Sequence, residues 1–216
     1  MSDTLIKYLG ENFPGLFLHA PLFYRWPVGL RFDLGGRATT PQDTDLVVER
    51  ATALYEATFA GESTSIVVAQ DWPREEAGDA ALPHLTPLFV FADRENVGLQ
   101  KPNGQVEVVD PDEREAVPHT LTWLKQPARA FRYELVFEGI ANADHARPPA
   151  ISSCVYFINP ASNIIFHMYD DRGLDVIARN RDAVYSIYRH FSGWLLDYDR
   201  SRMEQTFDQQ SGKPSS

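Results

Sequence analysis

The residues best suited to chemistry gather in one short stretch: His167, Asp170, Asp171 and Asp175, with Arg172 between them. A histidine beside several carboxylates can hold a divalent cation or act as a general acid or base. Arg31 and Arg172 could then fix an anionic substrate, which would make the cluster a metal-dependent, hydrolase-like site with His167, Asp171 and Asp175 as its catalytic candidates. Against this, His19, His84, His119, His145 and His190 are scattered, and none stands at ligand spacing to His167. The plainer reading is a lone half-buried histidine satisfied by an aspartate, and no metal site is assigned.

The same residues also read as turn chemistry. In Tyr169-Asp170-Asp171-Arg172-Gly173-Leu174 the spacing suits a type I turn in which Asp170 accepts backbone N–H groups and Gly173 takes a left-handed backbone as a G1 bulge. Pairing outward from such a turn sets Tyr169 against Asp175, Met168 against Val176 and His167 against Ile177. His167, Tyr169 and Asp175 then share one strand face, with a His167–Asp175 hydrogen bond in reach across the diagonal. A third reading makes the arginines structural, Arg31 or Arg172 pairing with Asp170, Asp171 or Asp197.

Those residues must be held by the elements around them. Strict alternation from Val28 to Leu34 predicts a strand with Val28, Leu30, Phe32 and Leu34 on its core face and Arg31 and Asp33 on the other. Ser152–Asn159, a Pro160-Ala161-Ser162 turn and the two strands flanking the acidic turn predict a β-meander over about 152–178. Helices are predicted over 3–13, after Thr40-Pro41-Gln42-Asp43, over 131–144, from Asn180 or Asp182, and near Asp199. The second of these is expected to bury Leu46, Val47, Ala51, Leu54, Tyr55 and Phe59 and to end at Gly61. Ser65–Gln70, Val106–Val109 and Thr120–Leu124 read as further strands. The fold class is therefore α+β: a mainly antiparallel sheet with a C-terminal meander followed by helices, packed with amphipathic helices from the N-terminal half. One domain over 1–208 is expected, with 209–216 a disordered polar tail.

Composition narrows the function classes. The chain has 216 residues, 44% hydrophobic and 23% charged, as expected of a soluble globular protein. Its 30 acidic residues exceed its 20 Lys and Arg, and a net charge of −10 disfavours nucleic acid and anionic membranes while suiting a basic protein partner. The lone cysteine, Cys154, reads as a structural thiol and forms no disulfide framework. No secretory or membrane-spanning segment is visible, so a cytoplasmic location is expected. Motifs of serine hydrolases, zinc proteases, P-loops and dinucleotide folds are all missing, and no cofactor is implied.

Three segments carry a family resemblance. Trp26-Pro27-Val28-Gly29-Leu30-Arg31-Phe32-Asp33-Leu34-Gly35, then His167 through Ala178, then Trp194-Leu195-Leu196-Asp197-Tyr198-Asp199-Arg200 resemble the bacterial domain family of unknown function DUF3885. Ile140–Asp144 looks like the family's helix end, and the middle, about 71–118, carries no resemblance. The resemblance implies a bacterial, soluble protein and supplies no reaction. The first functional expectation is therefore a noncatalytic binding or accessory module, immunity-type in character, with an acidic surface. Trp26, Arg31, Asp33, Asp170, Arg172 and Asp197 are its candidate binding residues, and Tyr24, Trp26 and Tyr198 its candidate exposed aromatics. The oligomeric state is left open.

Overall fold

A computed structural model of the chain describes residues 3–36, 41–61, 64–72, 104–109, 118–143 and 145–208. Its centre is a seven-stranded antiparallel sheet of β1 (Gly29–Asp33), β2 (Ser65–Asp71), β3 (Gly104–Val109), β4 (Pro118–Gln126), β5 (Cys154–Asn159), β6 (Ile164–Met168) and β7 (Gly173–Ala178). The strand order is β1-β7-β6-β5-β2-β4-β3. Six helices are described: α1 (Asp3–Asn12), α2 (Leu22–Arg25), α3 (Pro41–Thr58), α4 (Tyr133–Ala143), α5 (Asp182–His190) and α6 (Arg200–Phe207). The fold is α+β, and none of these helices is long and apolar enough to cross a membrane.

Alternation along the strands divides the sheet into two faces. One carries Leu30, Phe32, Val67, Leu124, Phe157, Phe166, Met168 and Val176, on which α3, α4 and α5 pack. Tyr55 of α3 is the hub of this layer, its ring stacked on Phe59 and Tyr133 at 4.5 and 4.2 Å and edge-on to Phe157 and Phe166. The other face carries Val68, Leu121, Trp123, Tyr156, Ile158, Ile165 and Ile177 against Leu5, Leu9 and Phe13 of α1 and its following loop. Core thus lies on both sides of the sheet, which is why most strand residues are buried.

β1 is an edge strand, and the chain beyond α5 closes it. Leu195 bridges to Phe32, Leu196 N–H donates to the Arg31 carbonyl at 2.9 Å, and Arg31 N–H reaches the Met203 sulfur at 3.2 Å. An edge satisfied in this way has few free backbone groups to template a further strand.

Several expectations need correction. Leu46 is 39% exposed; it stands one position before Val47, about 100° around the helix, on the stripe that continues through Arg50, Ala53 and Ala57 rather than toward the sheet. The helix expected from Asn180 or Asp182, whose apolar positions Val184, Ile187, Tyr188, Phe191, Trp194 and Leu195 would carry it as far as Leu195, stops at His190, and Ser192–Trp194 is a single 3-10 turn. Trp26 is half-buried rather than exposed, since its indole N–H donates to the Ala178 carbonyl at 2.7 Å and its ring packs on Phe13. The Thr40 cap, the loop and apolar run over 73–91, the acidic cluster 110–115 and the tail 209–216 lie outside the described residues.

Candidate functional site

The β6–β7 turn is tighter than its sequence suggests. His167 pairs with Asp175, Met168 with Leu174 and Phe166 with Val176, so the register differs by two residues from the expected one. Asp170 causes this: its Oδ1 accepts the N–H groups of Arg172 and Gly173 at 2.8 and 3.2 Å, and Tyr169 N–H already returns to the Gly173 carbonyl. Only Asp170, Asp171 and Arg172 are left in the loop. Gly173 does not take a left-handed backbone; among the described residues the positive-φ glycines are Gly15, Gly35 and Gly61. Its need is for space, because a Cβ there would lie 2.2 Å from the Tyr169 hydroxyl and 2.7 Å from the Phe32 carbonyl.

The corrected register places four side chains in one row across four neighbouring strands. Arg31 on β1 stands opposite Asp175 on β7, which stands opposite His167 on β6, and the next ring over is Tyr156 on β5. Arg31 Nε donates to Asp175 Oδ1 at 2.8 Å, and Phe23 N–H from α2 donates to Oδ2 at 3.1 Å. The guanidinium lies over Tyr24 and Tyr169, at 4.8 and 5.0 Å, and 3.7 Å from Asp199 Oδ2. Asp199 in turn accepts the Tyr24 hydroxyl at 2.9 Å. His167 stacks on Tyr156 at 4.3 Å, and the Tyr156 hydroxyl donates to Gln70, whose amide meets His119 at 3.0 Å.

The expected His167–Asp175 hydrogen bond does not form. Both Asp175 oxygens are taken by Arg31 and Phe23, and His167 turns its Nδ1 to the Val155 carbonyl at 2.9 Å. A carbonyl only accepts, so Nδ1 carries the hydrogen and Nε2 holds a buried lone pair with no partner among the described residues. Complete burial lowers the pKa of this imidazole to about 4, against the pull of the Val155 carbonyl and Asp170. Burial likewise pushes the Asp175 carboxyl up to about 6, although Arg31 draws it back down.

The other candidates lie apart from this row. Asp170 also pairs with the Arg172 guanidinium at the exposed turn, while Asp171 is held by His145 Nε2 at 3.3 Å. The carbonyl of Asp171 lies against Gly36, where a Cβ would come within 1.8 Å of it. Gly36→Ala should therefore cost about 1–3 kcal/mol in urea unfolding. Gly193→Ala, with nothing within 4 Å of the new methyl, should stay within about 0.5 kcal/mol and serves as the control. Asp33 is exposed, and its side chain accepts the Gly35 N–H at 2.7 Å. Asp197 projects into solvent beside Arg200. Cys154 is half-buried, and burial raises its thiol pKa to about 11.

A general acid, a base or a metal ligand must reach a substrate or an ion. His167 and Asp175 are 0% exposed, with the Asp175 oxygens taken by Arg31 and Phe23 and His167 Nδ1 by the Val155 carbonyl. Among the described residues no group of three His, Cys, Asp or Glu gathers to hold a metal ion. Of the arginine pairings expected, Arg172–Asp170 is present, whereas Arg31 pairs with Asp175 and Asp199. Sequence reasoning did not find Asp199, Phe23, His145 or Tyr156. Only Tyr156 left a local signal, since counting back through the Pro160–Asn163 turn sets it beside His167.

No solved structure matches the chain. It is 22% identical over 213 residues to "Uncharacterized protein YnaE" of Bacillus subtilis (strain 168), an alignment that covers 90% of this chain and 98% of that protein. The sequence model of the family described as "Domain of unknown function (DUF3885)" matches residues 5–199, so the strand bearing Arg31, the hairpin bearing His167 and Asp175, and Asp199 all fall within the match. The chain belongs to the DUF3885 family.

Proposed function

We propose that the chain is a noncatalytic accessory module that holds a basic protein partner through an acidic, tyrosine-bearing face around Tyr24, Asp197 and Tyr198. What carries this reading is the contrast between the two sets of polar residues. The histidine, carboxylate and arginine best suited to chemistry are enclosed, the carboxylate paired with the arginine and the histidine turned to the Val155 carbonyl, while Tyr198 and Asp197 are presented outward. Tyr198 is 88% exposed and Tyr24 46%. The Tyr24–Asp199 hydrogen bond fixes α2 beside the 3-10 turn Asp197–Asp199, which brings the two tyrosines onto adjacent elements. Arg31 already lies over Tyr24, but the exposed Tyr198 ring beside Asp197, whose side chain is 91% exposed even with Arg200 against it, suits a lysine or arginine that pairs with the acid and lies over the ring. A chain of net charge −10 would also attract such a partner from a distance.

The hydrolase-like reading needs His167, Asp171 and Asp175 to converge in an open cleft. Enclosure of the first and last, and the engagement of Asp171 with His145, remove its support.

The test is affinity capture from a bacterial lysate with wild type and with Asp197→Lys/Tyr198→Ala. A specific partner should be retained at about 50 mM salt, released by about 500 mM, and reduced at least tenfold on the variant. Failure of wild type to retain any protein at low salt, or equal retention by the variant, would sink the proposal.

A further inference from the structure

A concave surface lies between α3 and α5. It is a groove of about 1160 Å³ with Ala53, Ala57 and Ala60 along one side, Ile187 in its floor and Phe191 and Trp194 as a wall. Ala53 and Ala57, one turn apart on α3, and Ala60 just beyond its end leave a channel that no described side chain fills. Trp194 is fixed by Phe191, at 5.0 Å between ring centroids, and by the Arg50 guanidinium 5.4 Å above its own ring.

The charge at this groove runs against that of the molecule. Arg189 and His190 line it and Arg50 stands over its wall, while its one lining acid, Glu56, is engaged by the Tyr133 hydroxyl at 3.1 Å. A local excess of base around an apolar channel, in a chain of net charge −10, is a departure that folding alone does not require. Ala53 and Ala57 stand one helical turn apart on α3, about 6 Å, and Ala60 follows the helix end. That spacing and the smooth alanine side suit a helix laid into the groove, with apolar anchors one turn apart and acids along its flanks.

We propose that this groove docks an amphipathic, acidic helix of a partner protein. Apolar side chains of the incoming helix enter over Ala53 and Ala57 against Trp194, and its carboxylates meet Arg189 and Arg50. This surface is separate from the tyrosine-bearing face, and neither proposal depends on the other.

The test uses two labelled helical peptides of about 18 residues, five turns, with the same leucine stripe and either Glu or Lys on the flanks. Fluorescence anisotropy with the full chain should show the Glu peptide binding at least tenfold more tightly. Ala57→Phe, which fills the channel, should weaken that binding at least tenfold. Ala57 packs on the core, so the exposed Ser186→Trp, which closes the groove from the α5 side, gives the same readout should the first variant unfold. Arg189→Glu should shift preference toward the Lys peptide. Binding of neither peptide, equal binding of both, or Glu-peptide binding untouched by the blocking variants overturns the proposal. Sedimentation showing a dimer that Ser186→Trp dissociates would also overturn it, by assigning the groove to a second copy.

Discussion

Asp175→Ala lowers the stability of this protein by about 3–5 kcal/mol at neutral pH, the loss expected when one member of a buried ion pair is removed. The substitution leaves the Arg31 guanidinium enclosed by Phe23, Tyr24 and Tyr169, with only Asp199, at 3.7 Å, to answer its charge. It also strips the Phe23 N–H of its acceptor. Urea unfolding at pH 7 measures the effect, where wild-type Asp175 is ionised. Most of the loss comes from the stranded charge, so Arg31→Met/Asp175→Leu should be clearly more stable than Asp175→Ala alone. If the single variant unfolds at the wild-type urea concentration, Asp199 compensates fully and the row is not the tie described above.

The second large effect is one of pH. His167 has its pKa lowered from 6.5 to about 4, so the native state resists protonation and its stability falls as pH drops from about 6.5 toward 4. Asp175 acts the other way: its pKa is raised from 3.8 to about 6, and its contribution is whole below 3.8 and is lost as pH rises through 6. The two slopes oppose one another over nearly the same window, and wild type should be nearly flat there as far as this row is concerned. His167→Phe removes one slope and keeps a ring against Tyr156. Between pH 7 and pH 4 the variant should therefore gain about 3 kcal/mol relative to wild type, the equivalent of the His167 shift. Urea unfolding at half-unit pH steps reads this directly. Parallel pH profiles for the two proteins would mean that His167 is not enclosed as a neutral imidazole.

What could be read from the sequence was local. Alternation at Val28–Leu34, the stripe from Val47 to Phe59 and the turn at Pro160–Ser162 involve residues within a few positions of one another, and each gave its element. The acidic turn was harder. Asp170 is a turn residue as its type suggests, but Gly173 opens β7 without a left-handed backbone, and the number of residues in the loop depends on which N–H groups Asp170 accepts, which moves the pairing by two. Arg31 had several possible acids within the sequence. Asp175 and Asp199 become its partners because the sheet order puts β1 beside β7 and because the segment after α5 returns along β1, neither of which has a periodic signature. Burial was the last thing missing: a histidine and an aspartate on a strand look reactive until Leu5, Leu9 and Phe13, with Phe23 of α2 on Asp175, are seen to cover that face.

The position of β1 also bears on the order in which the chain can be made and folded. Arg31 and Asp175 are 144 residues apart, so β1 is among the earliest strands synthesised and cannot reach its neighbour until nearly all the others exist. At ordinary rates of translation that delay is about 7–30 s, long compared with hairpin formation at β5–β7. Through that interval Leu30, Phe32 and Leu34 stand as an apolar row awaiting a partner. Arg31 and Asp33, which interrupt the row, are the kind of charged residues that keep a waiting strand from pairing with the wrong chain. The arginine that ties the finished sheet thus has an earlier task, as a guard on the nascent one.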